Sequence, residues 1–124
     1  MHPLKILVVD DDIINRKLMG AILNKYNNTS KISEATDGQE AISFLREHND
    51  TDLVLLDIIM PVMDGIDVLQ IMHADPNLQH IPVIVLTTDE TKKSEALNSG
   101  ANDFIAKPVR EQELINKIER LMTL

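Results

Sequence analysis

Four apolar runs in this 124-residue chain each stop at a side chain suited to phosphate or metal chemistry. Residues 4–9 end in Asp10 and Asp11, and residues 53–56 end in Asp57. Residues 83–86 end in Thr87, and residues 104–106 end in Lys107. As parallel strands of one sheet, these runs would bring all five side chains to the carboxyl edge, where open α/β sheets bind ligands. Three carboxylates in so small a space disfavour joint ionisation and call for positive charge. An all-oxygen cluster suits Mg²⁺, which takes one or two carboxylates and keeps positions for water and phosphate. Lys107 supplies a compact point charge and Thr87 a hydroxyl donor. The set therefore fits a dianionic phosphoryl group. A carboxylate can also accept that group as an aspartyl phosphate, with Mg²⁺ and Lys107 stabilising charge on the equatorial oxygens. Asp57 is the better nucleophile, being single, central and followed by an open loop.

The elements that must hold these residues follow from the hydrophobic pattern. Short apolar runs alternate with segments of helical period, as in βα units with a parallel sheet. Strands are predicted at residues 4–9, 31–35, 52–57, 81–87 and 102–106. In the first helix Ile14, Leu18 and Ile22 recur at helical spacing. Asp37-Gly38-Gln39-Glu40 reads as a capping box opening a helix that buries Ala41, Ile42 and Leu45. A third helix from about Asp64 turns Val68, Leu69 and Met72 inward, and Asp75-Pro76-Asn77 breaks it. Residues 90–99 form a helix with only Ala96 and Leu97 to bury, capped by Gly100. Leu114, Ile115, Ile118, Leu121 and Met122 mark the inner face of the last. Right-handed crossovers make this a doubly wound five-stranded parallel sheet, order 2-1-3-4-5, with five helices over both faces, a flavodoxin-like α/β fold.

Composition narrows the function. Apolar residues make up 44% and charged residues 26%, as in a globular domain, and the length suits one domain, residues 1–124. No run approaches the roughly 20 apolar residues of a membrane span, and the start of the chain lacks a signal-peptide pattern. Zero cysteines exclude disulfides and thiolate sites, so a cytoplasmic location is expected. A formal charge of −8 and three aromatic residues of the Phe, Tyr and Trp types argue against nucleic-acid binding.

Four motifs then carry a family resemblance: Val8-Val9-Asp10-Asp11; Asp57-Ile58-Ile59-Met60-Pro61-Val62-Met63-Asp64-Gly65; Leu86-Thr87; and Gly100-Ala101-Asn102-Asp103-Phe104-Ile105-Ala106-Lys107-Pro108. Together, in this order, they resemble the receiver domain of two-component response regulators over about residues 5–121. The resemblance implies a signalling switch in which Asp57 accepts phosphate from a histidine kinase or histidine phosphotransfer protein. It implies Mg²⁺ held by Asp11, Asp57 and the Ile59 carbonyl, with Asp10 acting largely through water. Thr87 and Lys107 would bind the phosphoryl oxygens, Phe104 would swing inward as Thr87 follows the phosphate, and the Lys107-Pro108 bond would be cis. A downstream protein would read the face formed by the fourth helix, fifth strand and fifth helix, and a phosphorylation-induced dimer is compatible with it. Such a domain is a regulatory phosphoacceptor with weak self-hydrolysis rather than a metabolic enzyme. Thr88 is bulkier than the usual alanine or glycine and is placed to narrow access to Asp57. Ile59 and Asp89 flank the pocket at sites that tune phosphoryl lifetime in similar proteins.

Plainer readings stand beside these. Asp12 suits a helix start, favoured by the dipole, better than a fourth metal ligand. Phe104 serves equally as strand core, Met60 and Met63 as packing, and the scattered His2, His48, His73 and His80 as surface. A small Mg²⁺-dependent phosphatase of the haloacid dehalogenase type would use an Asp nucleophile, and Asp10-Asp11-Asp12 loosely fits it, but residues for a substrate cap are lacking. A flavin-binding protein would need a hydroxyl-rich first loop where this one is acidic. A docking module that never carries phosphate is a further alternative. The pattern suits a free-standing regulator and a receiver within a larger regulator or hybrid kinase alike.

Overall fold

A strand covered on both faces must be apolar along its length, and β3 (Leu53–Asp57) and β4 (Val83–Thr87) are buried at every position. They form the centre of a five-stranded sheet with β1 (Lys5–Val9), β2 (Lys31–Ala35) and β5 (Asp103–Ala106). The structure, a computed structural model, describes residues 3–27 and 30–122. The strand order is β2-β1-β3-β4-β5 and every pairing is parallel. Each crossover carries a helix: α1 (Ile13–Tyr26), α2 (Gly38–Glu47), α3 (Gly65–Ala74) and α4 (Lys93–Asn98), the last entered through a 3₁₀ turn at Glu90–Lys92. The closing helix is α5 (Glu111–Met122). The doubly wound architecture read from the sequence is the one observed.

Strand alternation divides the core in two. Leu7, Val9, Val54, Leu56, Val83, Val85 and Phe104 pack with Ala41, Ile42 and Leu45 of α2, Val68, Leu69 and Met72 of α3, and Ala96 of α4. Ile6, Val8, Leu53, Leu55, Ile84, Leu86 and Ile105 pack with Met19, Ile22 and Leu23 of α1 and with Leu114 and Ile118 of α5. Three helices thus cover one face and two the other.

Side-chain caps fix where the helices start. Asp12 Oδ1 accepts the Ile14 N–H at 2.9 Å, so this acid begins α1. Asp37 Oδ1 accepts the Glu40 N–H at 2.8 Å, while Glu40 reaches back to the Thr36 N–H at 3.0 Å, one residue earlier than a capping box would place it. Asp64 caps α3 through the Asp67 N–H. α4 ends where Gly100, at φ 115°, donates to the Leu97 carbonyl and Ala101 donates to that of Ala96. This paired closure needs a left-handed residue, the position glycine fills without strain.

Two helices differ from expectation. On α1 the inward stripe is Arg16, Met19, Ile22 and Leu23, while Ile14 is 73% and Leu18 53% exposed. Of the i, i+4 series Ile14, Leu18 and Ile22 that marks the helix, only Ile22 faces the sheet, and Arg16 takes the inward position in the first buried turn. The segment after β4 opens as a 3₁₀ turn, and α4 buries Ala96 but leaves Leu97 39% exposed. So polar a segment has little apolar surface to hold it down.

Candidate functional site

The backbone ladder runs on into the residues that could do chemistry. Asp10 N–H donates to the Ala35 carbonyl at 3.1 Å, Ile58 N–H to Leu86 at 3.3 Å, and Lys107 N–H to Thr87 at 2.8 Å. These bonds fix the ends of β1, β3 and β5 against their neighbours. Asp57 is paired with Leu86 and so lies on the α1/α5 side of the sheet. Thr87 lies two residues beyond Val85, whose partner is Phe104, so Thr87 and Phe104 share the α2–α4 side.

At this edge Lys107 Nζ stands 3.1 Å from Asp10 Oδ2 and 3.3 Å from Asp57 Oδ1. One carboxylate oxygen from each of Asp10, Asp11 and Asp57 lies within 4.8 Å of the others. Asp10 and Asp57 are buried and Asp11 is exposed, so the cluster opens to solvent on the Asp11 side. Three carboxylates face one ammonium, and all the donors are hard oxygens. That charge deficit and donor set fit Mg²⁺.

Electrostatics agree with an unfilled charge requirement. Burial pushes the Asp57 carboxyl up to about 6; Lys107 opposes this, and Asp10 and Asp11 add to it. Burial alone would lower the Lys107 ammonium, but Asp57 and Asp10 together hold it above its usual value. The consequence for metal-free stability follows from linkage. Unfolded, Asp57 releases its proton near pH 4; folded, near 6, so between these values the native state binds more protons and stability falls as pH rises. At about 1.4 kcal/mol per unit, the charged Asp57 costs the metal-free fold roughly 2–3 kcal/mol above pH 6. Asp57→Asn is therefore expected to raise urea stability at pH 8 by about 2 kcal/mol, with the gain fading toward pH 4. Equal stability of the two proteins at pH 8 would contradict this charge balance.

The remaining predicted residues occupy distinct places. Thr87 is fully buried, and its hydroxyl accepts the Asp89 N–H at 3.1 Å. Ile59 follows Asp57 on the outer loop and is 55% exposed. Phe104 is buried, with Lys93 Nζ 5.9 Å from its ring centroid. The Lys107-Pro108 peptide is cis. Thr88 is exposed and, with Asp10, Asn15, Leu18, Met19, Lys107, Pro108 and Val109, lines a groove of about 370 Å³ next to the cluster. Of the histidines, His48, His73 and His80 are exposed, and His2 lies outside the described residues. No metal-binding group of His, Cys, Asp and Glu other than Asp10, Asp11 and Asp57 is found among the described residues.

Three residues escaped the sequence reading. Arg16 is buried, donating from Nη1 to the Asp10 carbonyl at 2.7 Å and from Nε to Glu34 Oε1 at 2.8 Å. Its signal was the series Arg16, Met19, Leu23, Tyr26, an alternative inward stripe with a charge at its head. Gly65 lies so close to β3 that a Cβ would meet the Asp57 carbonyl oxygen at 2.6 Å and Ile58 Cα at 2.7 Å. Val62 sits at φ 70°, and Met63 N–H donates to the Pro61 carbonyl at 2.8 Å, a γ-turn around a strained β-branched residue. The loop after Asp57 is held in an unusual path.

The model of the response regulator receiver domain matches residues 6–119. The chain belongs to that family. A receiver domain is a phosphorylation-dependent switch of two-component signalling, a regulatory phosphoacceptor that works with histidine kinases and downstream effectors and binds Mg²⁺ in an acidic site. This receiver is 36% identical to chemotaxis protein CheY-3 of Vibrio cholerae, over 95% of the chain and 91% of that protein. It is also 36% identical to hybrid signal transduction histidine kinase M of Dictyostelium discoideum, of whose length it spans 5%. The receiver domain of a sensor histidine kinase from Pseudomonas aeruginosa, solved with magnesium coordinated in its active-site cleft, superposes with a TM-score of 0.83 at 27% identity, covering 99% of this chain and 100% of that one. No helix among the described residues is long and apolar enough to cross a membrane.

Proposed function

We propose that Asp57 is the phosphoacceptor of a single receiver domain spanning residues 1–124, and that Asp10, Asp11, Asp57 and the Ile59 carbonyl hold Mg²⁺. The observation that carries this reading is Lys107 Nζ, set between Asp10 and Asp57 within a three-carboxylate cluster. In the transfer, an Asp57 carboxylate oxygen bonds to the phosphorus of a phosphohistidine as the P–N bond breaks. The bonding pair returns to the imidazole nitrogen, which takes up a proton. Asp57, with its carboxyl near 6, is ionised and nucleophilic at neutral pH. Lys107, already against Asp57, turns to the incoming phosphoryl oxygens and offsets their charge. A bound Mg²⁺ supplies further positive charge to the carboxylates and the phosphoryl group.

The switch reading rests on Thr87 and Phe104 sharing one sheet face. The Thr87 hydroxyl, which accepts the Asp89 N–H, donates its own proton to a phosphoryl oxygen, and movement of Thr87 toward that oxygen frees volume into which Phe104 shifts. Such contacts bias an existing two-state equilibrium rather than create a new state. The α4–β5–α5 surface then presents a changed face to a downstream protein target, and a phosphorylation-induced dimer would use the same face. The donor is a histidine kinase or histidine phosphotransfer protein, and the domain works in the cytoplasm. Water reaching the exposed side of the cluster at Asp11 returns Asp57 to its free state slowly, without making the domain a metabolic catalyst.

Incubation with a small phosphoramidate donor tests the reading. With Mg²⁺ present the protein should gain the mass of one phosphoryl group, released by hydroxylamine as an acyl phosphate is; with EDTA it should gain none. Steady hydrolysis of phosphomonoesters that requires Asp10 instead of Asp57 would support a phosphatase and contradict this assignment.

A further inference from the structure

Asp10 is held at every polar atom. Its N–H donates to the Ala35 carbonyl at 3.1 Å, its Oδ1 accepts the Asp12 N–H at 2.9 Å, and its Oδ2 faces Lys107. The fourth contact comes from Arg16, whose Nη1 donates to the Asp10 carbonyl at 2.7 Å in a buried bond. The same guanidinium is anchored from the other side by Glu34 of β2. Glu34 also takes Lys17 at 3.6 Å, but Lys17 is exposed and has no bond to Asp10. A planar fork with fixed donor directions can bridge a carbonyl and a carboxylate in one orientation, which a flexible ammonium does not reproduce.

We propose that Arg16 is a positioning residue for the acidic cluster, clamping the Asp10 carbonyl so that the Asp10–Asp11 corner is set for Mg²⁺ before the ion arrives. The inference rests on the reading that Asp10, Asp11 and Asp57 hold Mg²⁺. Groups that orient metal ligands from behind commonly matter about 10- to 100-fold in metal affinity. The sign of the effect separates positioning from charge. Arg16 is itself a cation, so by Coulomb's law alone its removal tightens binding of a divalent cation. Loss of the clamp weakens it.

The test is Mg²⁺ titration by calorimetry of the wild type, Arg16→Met, Arg16→Lys and Lys17→Met, each shown to be folded by circular dichroism at the titration temperature. Arg16→Met and Arg16→Lys should raise the Mg²⁺ dissociation constant about 10- to 100-fold, while Lys17→Met leaves it unchanged or lowers it slightly. A merely structural arginine would lower the unfolding midpoint and leave the dissociation constant of the folded protein as it was. Should Arg16→Met fail to fold, Arg16→Lys carries the test, since it keeps the charge and loses the fork. Wild-type affinity retained in the Arg16 variants, or increased, overturns the positioning role while the metal site stands. A wild type that takes up no Mg²⁺ overturns the site assignment and this inference together.

Discussion

Asp57→Asn is expected to reduce acyl-phosphate incorporation from a small donor to background, while the variant folds at least as stably as the wild type. The carboxamide is nearly isosteric with the carboxylate and relieves the burial of charge that lifts the Asp57 carboxyl to about 6. It removes the nucleophilic oxygen and leaves Lys107 paired with Asp10. Loss of labelling with stability kept or raised separates a chemical role from a structural one. Labelling of the variant at the wild-type rate would place the acceptor elsewhere, and Asp10 and Asp11 would become the candidates.

Gly65→Ala should cost both stability and phosphorylation without removing a polar group. The added methyl would sit 2.6 Å from the Asp57 carbonyl oxygen and 2.7 Å from Ile58 Cα, both backbone atoms that cannot rotate away. Gly65 N–H also donates to the Ile58 carbonyl at 2.8 Å, so the two segments cannot separate without breaking that bond. Overpacking of this kind costs about 1–3 kcal/mol, and the end of β3 must move to relieve it. A shift of about 1 Å in a reacting group can slow its reaction about 100-fold. Urea unfolding together with the initial labelling rate checks both halves. Wild-type stability and rate would mean that the loop after β3 yields freely and that its path is irrelevant to Asp57.

These cases mark what the sequence could and could not say. The strands were legible because a sheet covered on both faces demands unbroken apolar runs, and the polar residue ending each run marks the edge. Asp10, Asp11, Asp57 and Lys107 meet for that reason, across nearly the whole chain length. Strand parity could also have told Asp57 from Thr87: the first faces α1 and α5, the second α2, α3 and α4. Arg16 was hidden because a charged residue is ordinarily solvated, and only its partners, the buried Asp10 carbonyl and the carboxylate of Glu34, make the inward position tolerable. Ile14 and Leu18 show the converse: their spacing marks a helix, yet both are exposed, since apolar residues on a helix are no guarantee of burial. Gly65 stood in a quoted motif, yet its role depends on a close approach between two segments that the pattern alone does not reveal.

The most direct measurement is a crystal structure with Mg²⁺ and beryllofluoride, a mimic of the phosphoryl group. The account predicts beryllium bonded to an Asp57 carboxylate oxygen, Lys107 Nζ on a fluoride, and Mg²⁺ coordinated by Asp11, Asp57 and the Ile59 carbonyl. Beryllofluoride bound to another carboxylate, or Mg²⁺ sited away from Asp11 and Asp57, would contradict it.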